Sequence, residues 1–145
     1  MRRVAAEIGV TQPVVYSAFP GGRQELIDAV AVNGFSAVAA ALAAVDPEPM
    51  ARMRAYLDFA VTQPHVYEAM FSMPSGLPFG AGSGPEPLRR AFAAIQEAFP
   101  GPDATRAEVA WASLHGLATL QISGRLPETR VQARLEYAHR ALTDD

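Results

Sequence analysis

The chain contains no cysteine. That excludes disulfides, thiolate metal sites and thiol nucleophiles, and it fits a cytoplasmic protein. Lysine is absent as well, so all 12 basic residues are arginine. Histidine is scarce: only His65, His115 and His139 are present. No H-E-x-x-H, no G-x-S-x-G and no carboxylate pair in an apolar setting occurs. The expectation is therefore a protein that is not an enzyme and holds no metal or cofactor. No uninterrupted apolar run reaches the roughly 18 residues a bilayer requires, and no signal peptide is visible. No membrane association is expected.

What is present is apolar and punctuated. Half of the 145 residues are hydrophobic and the net charge is −3. This suits one or two small domains with a real core, not a disordered chain. Breakers fall at regular intervals: Gly9, Gly21-Gly22, Asp46-Pro47-Glu48-Pro49, Pro64, Pro100-Gly101-Pro102 and Pro127. Between them apolar residues recur at helical spacing, so the expected fold is all-α. The expected helices run from about Arg23 to Val45, Met50 to Thr62, Pro64 onward, Pro87 to Phe99, Asp103 to Ser123 and Pro127 to Leu142. Residues 73–85 are rich in Pro and Gly. Their alternating Gly80, Gly82 and Gly84 lack the preceding strand and the following Lys-Ser/Thr of a phosphate loop, so a plain loop is expected.

Residues 2–23 form a pair of short helical stretches split at Gly9. Val4, Ala5 and Ile8 lie on one side of the first. Thr11 stands where its hydroxyl can cap the second, and Pro13 falls in that helix's first turn. Val15 and Phe19 share an inward face. Gln12, Val14, Tyr16 and Ser17 are left pointing outward. Two short helices joined by a Gly-containing turn make a helix-turn-helix, and an outward mix of amide, methyl, phenol and hydroxyl suits a major groove. A small amphipathic surface helix would show the same pattern. With Arg2, Arg3 and Arg23 against Glu7 and Glu25, the segment is only weakly basic.

The run V-A-x-x-x-G-V-T-Q-P-x-V-Y-x-x-F-P-G-G-R-x-x-L resembles the DNA-binding segment of the tetracycline repressor (TetR) family. Val4, Ala5, Gly9, Val10, Tyr16, Phe19, Arg23 and Leu26 carry the likeness. Ala18 departs from it, standing where His is usual, and the family's first helix is not seen before Arg2. The resemblance implies base contacts from Gln12, Val14 and Tyr16, and phosphate contacts from Arg3, Thr11, Ser17 and Arg23. It implies a near-palindromic double-stranded DNA operator, read by residues 1–45 with their connecting helix. A motif this short cannot bury Val4, Ile8, Val15 and Phe19 unaided, so either further cover exists or DNA binding fails.

Residues 46–145 form the expected second domain. Val109 to Ile122 is apolar almost all round, which requires cover on more than one side. The last helix adds Val131, Leu135, Ala138 and Leu142. A four-helix bundle with a second copy supplies the cover, through Gly116, Leu117, Leu120, Val131, Leu135 and Leu142. An all-buried central helix in a monomer is the alternative. Met53, Tyr56, Phe59, Tyr67, Met70, Phe71, Phe92 and Trp111 form an aromatic and thioether cluster. Each alone is ordinary core. Together, with Tyr56, Tyr67 and His115 as polar handles, they suit a pocket for a small apolar or aromatic effector. W-A-S-L-H-G-L-A-x-L at 111–120 and Q-P-H-V-Y-E-A-M-F at 63–71 resemble the Trp-His-Gly type of TetR regulatory domain. That likeness implies an all-helical homodimer that releases DNA when its effector binds.

Overall fold

A computed structural model describes residues 1–71 and 84–144. Eight α-helices and one 3-10 turn account for the regular structure of these residues, and no strand occurs among them. The helices are α1 (Arg2–Glu7), α2 (Gln12–Ala18), α3 (Arg23–Ala43), α4 (Pro49–Thr62), α5 (Pro64–Phe71), α6 (Glu86–Ala98), α7 (Thr105–Ile122) and α8 (Val131–Thr143). Most of the expected glycine-alternating loop, including Gly80 and Gly82, lies outside the described residues.

The breakers act by local chemistry. Gly9 and Gly22 take positive φ, which ends α1 and opens α3 at low steric cost. Glu48 caps α4 by accepting from the backbone N–H groups of Met50 at 3.1 Å and Ala51 at 2.9 Å. Those bonds, Met50's first, hold its carboxyl below the usual carboxylate range. Asp103 accepts from the Thr105 N–H at 2.9 Å and so serves the start of α7 as expected, one residue before the formal cap. Thr11 departs from expectation. It occupies the cap position of α2, but its hydroxyl makes no cap bond. Pro13 offers no N–H, and the Val14 N–H is taken by the Thr11 carbonyl at 3.0 Å.

The core gathers around α4, which packs against α3, α5, α6, α7 and α8. Its buried faces carry Arg52, Met53, Tyr56, Leu57, Phe59 and Ala60. Arg52 is the one charged residue buried among those described. Its guanidinium donates to the Asp46 carbonyl at 3.2 Å, the Ala94 carbonyl at 3.1 Å and the Glu97 carboxylate at 3.2 Å. It thereby pins α4 to α6 and to the preceding break, with one bond from each of its three nitrogens.

α3 joins the N-terminal helix pair to the core. It starts at the helix-turn-helix and ends in the core through Ala31, Phe35, Val38, Ala39 and Leu42. An 18-residue window of this 21-residue helix has a mean hydropathy of 1.8, so the helix is long and apolar enough by length and composition to cross a membrane. Asp28 and Asn33 interrupt that window, so it is not the uninterrupted apolar run whose absence the sequence shows. The helix nevertheless packs against α4, α5 and α6, as a core helix does. Gly34 permits the close crossing with α5. A Cβ there would lie 2.5 Å from Met70 Cγ and 2.6 Å from its sulfur.

Apolar coverage is incomplete at two places. α7 is not covered all round: Ala107, Ala110, Trp111, Leu114 and Ala118 are buried, while Val109 is 52% exposed and Leu120 39%. At the other end, Ala5 and Val15 are buried, but Val4 is 37% exposed and Ile8 64%. Nothing among the described residues covers that side of α1.

Candidate functional site

Two clefts open beside α7. The larger, about 480 Å³, lies between α5 and the second half of α7 and is lined by Tyr67, Glu68, Phe71, His115, Thr119 and Ile122 among others. The smaller, about 270 Å³, is lined by Phe71, Phe92, Glu108, Trp111, Ala112 and His115. Phe71 and His115 line both and divide them. Their rings pack at a centroid distance of 4.2 Å. Tyr67 stacks on His115 at 5.7 Å, and Phe92 stacks on Trp111 at 5.6 Å. The helical spacing explains the grouping. Trp111, His115 and Thr119 recur every four residues along α7, while Pro64, Tyr67, Glu68 and Phe71 share one face of α5.

Behind the rings runs a chain of hydrogen bonds. Trp111 Nε1 donates to Tyr56 Oη at 3.0 Å. Tyr56 Oη and Tyr67 Oη are 2.8 Å apart, and Tyr67 Oη is 2.8 Å from His115 Nδ1. Burial pushes both phenols far above their usual range, so each is a neutral hydroxyl. His115 is half-buried, and loss of solvent lowers its pKa below 6.5. The site therefore has a neutral imidazole at neutral pH.

Not every expected pocket residue reaches the clefts. Tyr67, Phe71, Phe92, Trp111 and His115 line them. Met53, Phe59 and Met70 do not; they are buried in the core, because α4 and the inner face of α5 are enclosed by other helices. Tyr56 is also core, and it acts on the site from behind, through Tyr67 and Trp111. Sequence reasoning missed Glu68, Glu108, Thr119 and Ser123. The i, i+4 periodicity from Trp111 pointed to Thr119, but a polar residue falls outside an apolar stripe.

The other expected sites lie elsewhere. On α2, Val14, Tyr16 and Ser17 are exposed, Gln12 is half-buried and Val15 points inward. Thr11, Arg3 and Arg23 are exposed at the ends of α2, α1 and α3. Of the expected interface residues, Leu120 is exposed and Gly116, Leu117, Val131 and Leu142 are half-buried. Leu135 leaves that set. It is 3% exposed and sits in the chain's own core, on the inward side of α8.

The described residues are all-helical, with a short helix pair before a helical bundle that holds aromatic-lined clefts. Residues 49–144 match the family model described as tetracyclin repressor-like, C-terminal domain. The match spans most of the chain, and the chain belongs to that family of non-enzymatic regulators. Residues 1–48 lie outside the matched segment. No match was found among curated proteins or among solved structures.

Proposed function

We propose that the chain is a cytoplasmic DNA-binding transcriptional regulator, a repressor released from its operator by a small apolar or aromatic effector. The C-terminal domain is of the Trp-His-Gly type. The observation that carries this reading is the route from cleft to reading head. Phe71, on the wall of both clefts, packs edge-on against Phe35 of α3 at 5.6 Å. α3 begins directly after the turn that ends α2. An effector that displaces Phe71 thus acts on the helix that sets the position of α2. Gln12, Val14 and Tyr16 read bases, and Arg3, Thr11, Ser17 and Arg23 grip phosphates. The copies pair through α7 and α8, where Val109 and Leu120 expose apolar surface, so the operator is near-palindromic with half-sites about one helical turn apart.

The exposure of Val4 and Ile8 favours a second reading, a ligand-binding helical dimer without DNA affinity. Binding to DNA from upstream of the coding region, measured with this chain and with a version extended upstream in its reading frame, separates the two. Under the first reading Gln12→Ala costs about 1–3 kcal/mol at one base pair and relaxes the choice there. Arg23→Ala weakens all sequences alike and flattens the salt dependence. Equal binding after both replacements would refute the assignment of α2. Failure of both versions to bind would leave only the ligand-binding dimer.

A further inference from the structure

The hydrogen-bond chain behind the clefts has a direction. Trp111 Nε1–H can only donate, so Tyr56 Oη accepts from it. Tyr56 is buried, and among the described residues its own hydroxyl hydrogen has one acceptor within reach, Tyr67 Oη. Tyr67 then accepts from Tyr56, and its hydrogen goes to His115 Nδ1. The reverse order would leave the Tyr56 hydrogen buried without an acceptor, which is costly. His115 Nδ1 is therefore an acceptor, and a neutral His115 carries its proton on Nε2. Nε2 makes no hydrogen bond among the described residues, and His115 lines both clefts.

The surroundings restrict what can meet that N–H. The walls are aromatic faces: Phe71, Tyr67, Phe92 and Trp111. No arginine lines either cleft among the described residues, and the chain has no lysine. Glu68 stands on one cleft and Glu108 on the other, which disfavours an anion. A cationic head facing His115 would meet a donor, not an acceptor. Resting on the reading of these clefts as the effector site, we propose that they take an uncharged planar aromatic molecule bearing a carbonyl-type acceptor, which accepts from His115 Nε2–H. Trp111 and Tyr56 act as positioning residues that fix the direction of this donor.

Five probes of one skeleton test this: naphthalene, 1-acetonaphthone, 1-naphthol, 1-naphthoate and 1-naphthylmethylammonium, titrated calorimetrically into the full chain. The ketone should bind about threefold to tenfold tighter than naphthalene, the gain of one neutral hydrogen bond. Naphthoate should bind most weakly. In His115→Phe the ketone and the hydrocarbon should bind alike. Nitrogen NMR of the His115 ring should show the proton on Nε2 in the native chain and a mixture of tautomers in Tyr56→Phe. A native ring protonated on Nδ1 overturns the direction of the chain. Naphthalene binding as tightly as the ketone, or the ammonium probe binding best, overturns the ligand class while the clefts remain an effector site. No binding by any probe overturns both.

Discussion

Removing the Tyr56 hydroxyl is the sharpest perturbation of this molecule, because its cost depends on what Tyr67 carries. Tyr56→Phe keeps the buried ring and its edge-on packing against Tyr67 and Trp111. It removes the bond from Trp111 Nε1–H to Tyr56 Oη. Taking the acceptor from a buried donor costs about 1–3 kcal/mol, so a loss of about 2 kcal/mol is expected. Tyr67→Phe alone leaves the Tyr56 hydroxyl hydrogen without an acceptor, for about 1–2 kcal/mol. His115 Nδ1 loses its donor too, but the half-buried ring can turn to water or change tautomer.

The double variant separates a directed relay from a set of independent contacts. With Tyr56 already phenylalanine, no hydroxyl remains for Tyr67→Phe to orphan. The double variant should therefore be about as unstable as Tyr56→Phe alone, falling short of the summed single losses by about 1–2 kcal/mol. Urea denaturation at one fixed protomer concentration measures all four corners, since dimer stability depends on concentration. Sites that do not interact add to within about 0.3–0.5 kcal/mol. Losses that add to that precision would refute the reasoning, along with the tautomer assigned to His115.

Acid should weaken the fold through His115. Its folded pKa lies below the unfolded value of about 6.5, because burial disfavours the charged ring; Glu68 on α5 and Glu108 on α7 line the same clefts, and Tyr56 and Tyr67 stay neutral. The contribution is complete above about pH 6.5 and lost as pH falls through the lowered value, so stability should drop less across this window in His115→Gln. Gly34→Ala gains helix propensity but drives a methyl into Met70 and Val66, and should cost about 1–3 kcal/mol in denaturant, partly recovered by Met70→Ala. Gly116→Arg probes the pairing of copies: a Cβ at Gly116 meets nothing within 4 Å of the chain itself. The variant should melt like the parent yet sediment as a monomer, and an unchanged dimer would remove α7 from the interface.

The helices were legible because each break has a local cause. Proline and glycine stop helices through the chain itself, and α4, α5, α6 and α8 begin and end within a few residues of where those breakers place them. What a helix buries is decided by its neighbours. The pattern of α7 is apolar on nearly every side, so spacing alone does not show that Val109 and Leu120 stay exposed while Ala110 and Leu114 are enclosed. α4 was harder still. Met53 and Phe59 have the side chains a pocket would use, but α4 sits where five helices meet, and they become core.

The site shows the same division more sharply. Trp111, His115, Tyr56 and Tyr67 are all recognisable as polar or aromatic candidates, yet their roles depend on which atom meets which. Tyr56 and Trp111 are 55 residues apart, and Tyr67 and His115 are 48 apart. Only the packing of α4, α5 and α7 brings the four together. Once they meet, the chemistry of one end sets the whole chain. An indole nitrogen donates and never accepts, so placing Trp111 at the inner end drives each hydroxyl to donate outward. A donor-only group at the outer end would have reversed or broken the sequence. The donor offered to the cleft by His115 is thus set by a tryptophan whose indole hydrogen is spent inside the core.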